Sequence, residues 1–325
     1  MKQHLTYIFA LLLLMSACNR TEVPLPASHT NCQLDYSSHP QHAQYSQILD
    51  RFTGASFVGM SLLIDHPQED LWVGSSGWAD IENEVAMTNC HLQHAASIIK
   101  TYIAVIILQM EAEGKLDLDE GMAGYVPDEL LDKIPNGRTF TIRHLLQCRS
   151  GMPDTFEAEF LLDFLNAPTR QYSMEELMEF LYGVEAVGAP GERFYYGDGN
   201  FILLSMLIER LEGPLSEVFQ SRIFDRLGMG NSHLLTTPEA FPDGVTASYW
   251  DRHGNGVIEN VSEYQIALAA GLDGTDGLLS TVHDLNLFQR GLHNGNLLPP
   301  AQYAEMMETV DIGEGESSIN YAAYG

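Results

Sequence analysis

Hydrophobic and polar positions are arranged along this chain in three different ways. Residues 57–65 (FVGMSLLID) and 71–80 (LWVGSSGWAD) are short β-rich runs on either side of HPQED, the pattern of an antiparallel hairpin that begins a sheet. From Ser97 to Glu113 the period changes. Ile98, Ile99, Ile103, Val105, Ile106, Ile107 and Leu108 fall on nearly every face of a helix, and Gly114 is placed to end it. A helix that is apolar all round belongs in the centre of a core. Helices are also predicted over residues 174–183, 200–212, 215–227, 282–293 and 299–309, the fourth of these opening on Thr281 as N-cap with Asp284 as its N3 partner. Residues 18–44, in contrast, are polar, carry Pro24, Pro26 and Pro40, and show no apolar period, which predicts a tether ahead of a folded body over residues 45–325. Little strand is expected after the last helix.

Composition narrows the function. With 325 residues and 45% hydrophobic content the chain can bury a sizeable core. Sixteen basic residues against 44 acidic ones give a formal charge of -28, a field that repels nucleic acid and anionic lipid headgroups, so neither is an expected partner. The acidic residues are spread along the chain, as on a solubilising surface.

The first residues, MKQHLTYIFALLLLMSAC, combine Lys2, an apolar run over residues 5–15 that is short for a membrane span, and small residues ahead of Cys18. Residues 1–17 therefore read as an export signal. The stretch resembles the lipobox of bacterial lipoproteins, with Met15 where leucine is usual, which implies lipid attachment at Cys18. Asn19 stands where the enterobacterial inner-membrane retention signal has aspartate. The expectation is an outer-membrane anchor facing the periplasm of a Gram-negative bacterium, with soluble periplasmic or secreted protein as the alternative. Cys32, Cys90 and Cys148 then remain, so at most one disulfide forms among them. Their spacing matches no zinc pattern, and the pairs HPQH (His39, His42) and HLQH (His91, His94) lack a nearby acidic ligand, so no metal or other cofactor is expected.

Candidate chemistry lies in AASIIKTY (residues 95–102). On a helix Ser97 and Lys100 share one face, with β-carbons about 5 to 6 Å apart, so the amine reaches the hydroxyl. The surrounding isoleucines are expected to desolvate Lys100 and favour its neutral, basic form. Backbone N–H groups at the helix start are suited to an oxyanion at Ser97. With 21 serines and four lysines, chance alone supplies about 0.3 such pairs, so the motif needs context. APGERFYYGDGNFILL (residues 189–204) supplies it: Tyr196, at a loop–helix junction, is a candidate second proton carrier, and Asp198 a polar group to orient it or to bind substrate.

Together these stretches resemble the serine β-lactamase and penicillin-binding-protein superfamily, in the branch of class C β-lactamases, D-alanyl-D-alanine carboxypeptidases, D-aminopeptidases and esterases. The similarity runs from about Phe57 to Val310. AASIIKTY resembles the first motif, with Ser97 as nucleophile and Lys100 as its basic partner. PGERFYYGD resembles the segment with Tyr-x-Asn, with Tyr196 as the proton-relay tyrosine and Asp198 replacing the asparagine. EGKLDLDE, YVP, TIRHLLQCRSGMPD, LGMGNS and DGLLSTVHDLNLF match further landmarks in order, although Gln147 and Cys148 stand where the family usually has threonine and histidine.

The resemblance implies an α+β fold, an antiparallel sheet flanked by helices plus a large mostly helical region. It also implies acyl transfer through Ser97 on a small molecule or peptide: a D-Ala-terminated peptidoglycan stem peptide or an ester, with a β-lactam as the alternative. The family's third motif, Lys-Thr-Gly or His-x-Gly on a strand, is not visible; no lysine follows Lys133, and HNG (residues 293–295) falls at a helix end. YAAYG (residues 321–325) looks like the point where the family's returning strands begin. The expectation is a sheet left incomplete by a C-terminally truncated chain, with an inactive binding module of the same fold as the alternative. Oligomeric state is not legible.

Overall fold

The computed structural model describes residues 34–54, 57–238, 241–313 and 316–319. The expected leader, the tether up to residue 33, Cys18, Cys32 and YAAYG all lie outside the described residues.

The first hairpin forms as its pattern predicts. Strands β1 (Gly59–Ile64) and β2 (Trp72–Asp80) pair antiparallel, and β3 (Val85–Ala86) extends the sheet in the order β1-β2-β3. Gly77 makes the close approach possible: at φ +84° it takes a left-handed conformation, and a Cβ there would lie 2.2 Å from the Val58 carbonyl oxygen.

Helix α1 (His42–Thr53) packs on this sheet and starts inside the region expected to be tether. Its anchor is Trp72, which is fully buried, packs tilted against Tyr45 with ring centroids 5.1 Å apart and donates its indole N–H to His42 Nδ1 at 3.2 Å. His39 is also buried, against the Asp70 carbonyl. Folding therefore begins before residue 45. The apolar positions of α1, Tyr45, Ile48, Leu49 and Phe52, recur at i, i+3, i+4 and i+7, so the helical period begins just past the expected tether, and the polar first turn extends it back to His42.

A second sheet, β4-β8-β5, joins Gln93–His94 (β4), Leu278–Ser280 (β8) and His233–Leu234 (β5), and between β5 and β8 in the chain a small ribbon pairs β6 (Tyr249–Trp250) with β7 (Glu259–Asn260). After β4 comes a 3-10 turn (Ala96–Ile98) and then α2 (Ile99–Ala112), in which every residue from Ile99 to Met110 is buried. Gly114, at φ +70°, ends it: the Gly114 N–H bonds to Glu111 O at 2.8 Å and the Lys115 N–H to Met110 O at 3.0 Å, closing the last carbonyls.

The body contains α3 (Asp128–Lys133), α4 (Ile142–Leu146), α5 (Ala158–Asn166), α6 (Met174–Glu179) and α7 (Gly199–Glu212), with α2 and α4 packed on α7. The predicted helix over 215–227 is helical throughout but divided, with Gln220–Phe224 widened into a π turn. The last large helices are Ser262–Gly271 (α8), Val282–His293 (α9) and Pro300–Met306 (α10). Thr281 caps α9 as predicted, its Oγ1 accepting the Asp284 N–H at 3.2 Å. Tyr102 of α2 stacks on Phe288 of α9 at 3.7 Å, which ties the central helix to the C-terminal half.

After α10 the chain forms a hairpin, β9 (Thr309–Gly313) with β10 (Glu316–Ile319), and among the described residues these strands pair only with each other. Cys90 is disulfide-bonded, and Cys148 is a free thiol.

Candidate active site

Ser97 lies in the 3-10 turn between β4 and α2. The strand side is held by the Ala95 N–H bond to Leu278 O of β8 at 2.8 Å, and the helix side by the buried face of α2. Between them Ala96 takes φ +44°, a left-handed conformation that L-residues rarely adopt and that costs of order 1–3 kcal/mol. This bend leaves Ser97 half-buried while Lys100, one turn on, is 2% exposed.

The serine oxygen accepts two hydrogen bonds, from Lys100 Nζ at 3.0 Å and from the Tyr196 hydroxyl at 3.0 Å. Three residues singled out in the sequence thus meet at one atom. The fourth, Asp198, meets Lys100 instead: its Oδ1 lies 2.5 Å from Nζ, and the carboxyl is almost as buried as the amine. Asp198 stands at the N-cap of α7, but its side chain caps no helix N–H. The contact that Asp198 makes in this structure is an ion pair with Lys100.

That pair also reverses the expected electrostatics. Burial pulls the Lys100 pKa down, as expected, but the Asp198 carboxylate and the Tyr196 hydroxyl outweigh it, and the amine ends above the ordinary lysine value. Burial pushes the Asp198 carboxyl up, and Lys100 opposes this only in part. The rings of Tyr196 and Phe201, 5.0 and 5.9 Å from Nζ, favour the cation further. These neighbours favour the ammonium form of Lys100.

The loop that carries Tyr196 is held by groups that sequence reasoning did not single out. Asn200 donates from Nδ2 to Gly197 O at 2.8 Å and accepts from Ser150 Oγ at 2.6 Å. Asn136, at φ +59°, donates to Ser150 O and Gly188 O at 3.0 and 2.9 Å. Asp154 Oδ1 accepts the Asp198 N–H at 3.0 Å, and Cys148 O accepts the Tyr195 N–H at 2.9 Å. Gly151, at φ +77°, lets the two segments touch, since a Cβ there would lie 2.2 Å from Gly188 O. The available signal was QCRSGMPD itself, which has small and polar residues where a core segment would be apolar.

Cys148 sits fully buried under this loop, and burial pushes its thiol up to about 12, so it is neutral and inert at ordinary pH. Asp276, on the loop entering β8, adds a second carboxylate whose charge acts on Lys100, with its oxygens taken by the Gly277 N–H at 2.8 Å and Gln265 Nε2 at 3.4 Å. His293 of HNG bonds Tyr303 at the end of α9, 2.6 Å away, and forms part of no strand. Cys18 lies outside the described residues.

A hydroxyl in contact with an amine and a phenol, beside a buried carboxylate, can serve as a nucleophile whose proton has a place to go. The chain is 25% identical over 135 residues to Protein flp of Staphylococcus aureus, covering 42% of this chain and 26% of that protein. It is 23% identical over 261 residues to Penicillin-binding protein 4* of Bacillus subtilis, covering 77% and 55%. It thus spans from about a quarter to about half the length of these relatives.

Among solved structures, a D-stereospecific amidohydrolase from Streptomyces sp. superposes with a TM-score of 0.74 at 25% identity, over 87% of this chain and 82% of that one. The D-amino acid amidase from Ochrobactrum anthropi SV3, solved with L-phenylalanine amide, gives 0.71 at 27% identity, over 85% and 78%. The Beta-lactamase family model matches residues 46–325. From the hairpin to the last described strand, in both sequence and fold, the chain belongs to the Beta-lactamase family.

Proposed function

We propose that this chain is a serine acyl hydrolase that works through an acyl-enzyme on Ser97. The observation that carries the reading is the placement of Lys100 Nζ and the Tyr196 hydroxyl, each 3.0 Å from Ser97 Oγ. Ser97 attacks a carbonyl carbon, Lys100 and Tyr196 take up its proton and return it to the leaving group, and water then releases the acyl group. The substrate class is an amide or ester next to a D-residue, as in D-Ala-terminated peptides. Similarity to a D-stereospecific amidohydrolase and a D-amino acid amidase supports this over a dedicated β-lactamase. The apolar start and Cys18 support a lipid anchor facing the periplasm.

The test uses the full-length protein with a fluorophosphonate probe and a fluorescent penicillin, followed by hydrolysis of D- and L-alanine amides and a p-nitrophenyl ester. Covalent labelling that disappears in Ser97→Ala, with faster turnover of the D-amide than the L-amide, is the expected result. A folded wild-type protein that takes neither probe is instead a binding module.

A further inference from the structure

Lys100 Nζ donates to Ser97 Oγ at 3.0 Å and lies 2.5 Å from Asp198 Oδ1, an ion pair whose angles at rest are not those of a hydrogen bond. The lysine side chain is 2% exposed and the aspartate 11%, so a proton leaving the amine reaches the carboxylate before it reaches water. Burial penalises both ions. The ammonium–carboxylate form and the amine–carboxylic acid form are thereby drawn together in energy, and one proton moved along a short contact interconverts them. An ammonium by itself cannot accept the serine proton, so the resting site needs an acceptor beyond Lys100.

We propose that Asp198 is that acceptor, reached through Lys100. The proposal rests on Ser97 being the nucleophile. Rotation about the Lys100 Cε–Nζ bond aligns one proton on Asp198 Oδ1, which takes it, and turns the freed lone pair to Ser97. As Oγ bonds to the carbonyl carbon, the serine proton moves to Nζ and the carbonyl π pair moves onto its oxygen. When that pair returns, the bond to the leaving group breaks. The leaving group takes the Tyr196 proton, Tyr196 takes one from Lys100, and Lys100 takes back the proton on Asp198. The site ends as it began, with an acylated Ser97.

Other groups facing the pair do not compete. Asp154 accepts the Asp198 backbone N–H, Asp276 accepts the Gly277 N–H and the Gln265 amide, and the Cys148 thiol is neutral. Tyr196 already donates to Ser97. Among the described carboxylates, only Asp198 makes an ion pair with Lys100.

Single-turnover acylation by p-nitrophenyl acetate, measured from about pH 4 to about pH 10, tests this in the wild type and in Asp198→Asn. The wild type is expected to lose acylation in acid through a carboxylate. In Asp198→Asn only the free amine of Lys100 remains as base, so the acid limb moves up by more than about one pH unit and acylation near neutrality falls about tenfold or more. A limb that stays in place or moves down overturns the proposal.

A second readout does not depend on catalysis. With four lysines in the chain, ε-13C-lysine NMR resolves Lys100, assigned by Lys100→Arg. Its amine is expected to titrate at higher pH in the wild type than in Asp198→Asn, and equal titration overturns the coupling. A wild type that is never acylated, yet shows the titration difference, overturns the Ser97 reading while leaving the pair intact.

Discussion

At the scale of single residues, the buried Lys100–Asp198 pair is the costliest arrangement in the site. Two charges out of water are tolerable only together, and removing one leaves the other without compensation. Lys100→Met is therefore expected to destabilise the fold by about 3–5 kcal/mol near neutral pH, whereas Lys100→Met with Asp198→Asn costs much less because no charge is stranded. The single variant should also regain stability in acid. Its lone Asp198 carboxyl has a folded pKa above the unfolded value, so protonation favours the native state as pH falls. Urea denaturation of both variants decides the matter. Equal losses in the two would mean that the lost side-chain packing, not the stranded charge, carries the cost.

At the scale of elements, two glycines of left-handed conformation do unlike work. Gly114 closes the far end of α2 at φ +70°, with open space around a would-be Cβ. Gly114→Ala is expected to cost about 1–2 kcal/mol in stability, from the left-handed conformation alone. It should leave Ser97 acylation unchanged, because fourteen helical residues, about 21 Å, separate it from the site. Gly151 instead stands where the 147–154 segment meets Gly188, and a Cβ 2.2 Å from that carbonyl must push the segments apart. Since the Tyr196 loop hangs on that contact, Gly151→Ala is expected to slow acylation about a hundredfold, a loss typical of a misplaced catalytic group. Stopped-flow acylation alongside thermal melts separates the two effects.

At the scale of the whole molecule, a formal charge of -28 makes stability depend on pH through general repulsion, over which individual groups are superposed. Asp273 is one such group. Burial, with a smaller push from Glu209, raises its carboxyl from 3.8 to about 7, and its Oδ1 has no hydrogen-bond partner among the described residues. The native state thus holds a proton that the unfolded chain has lost, so stability drains away as pH rises from about 4 to about 7 and the full cost persists above that. A shift of this size corresponds to roughly 4 kcal/mol. Asp273→Asn is expected to match the wild type near pH 4 and to exceed it by a few kcal/mol near pH 8. The difference between the two urea-stability curves cancels the general charge effect, and parallel curves would exclude Asp273 as the source.

Much of this was open to the sequence because it is local. The hairpin over residues 57–80, the all-apolar helix after Ser97, its Gly114 terminus and the Thr281 cap depend on side chains within a few positions of one another. The Ser97–Lys100 contact is of this kind too, since one helical turn brings the two together whatever surrounds them. The first helix was legible too, in the spacing of Tyr45, Ile48, Leu49 and Phe52; only its polar first turn, which Trp72 holds through His42 from thirty residues on, was not. The charge state of Lys100 likewise could not be read from its isoleucine neighbours. Asp198 is 98 positions away and reaches Nζ only because α2 packs against the start of α7, while Asn200, Ser150 and Asn136 hold the intervening loop through bonds spanning 50 residues and 14. Local spacing determined which residues could be nucleophile and partner. Packing of distant helices decided that the partner is a paired ammonium, because only tertiary contact brings a buried carboxylate close enough to outweigh the desolvation of the amine.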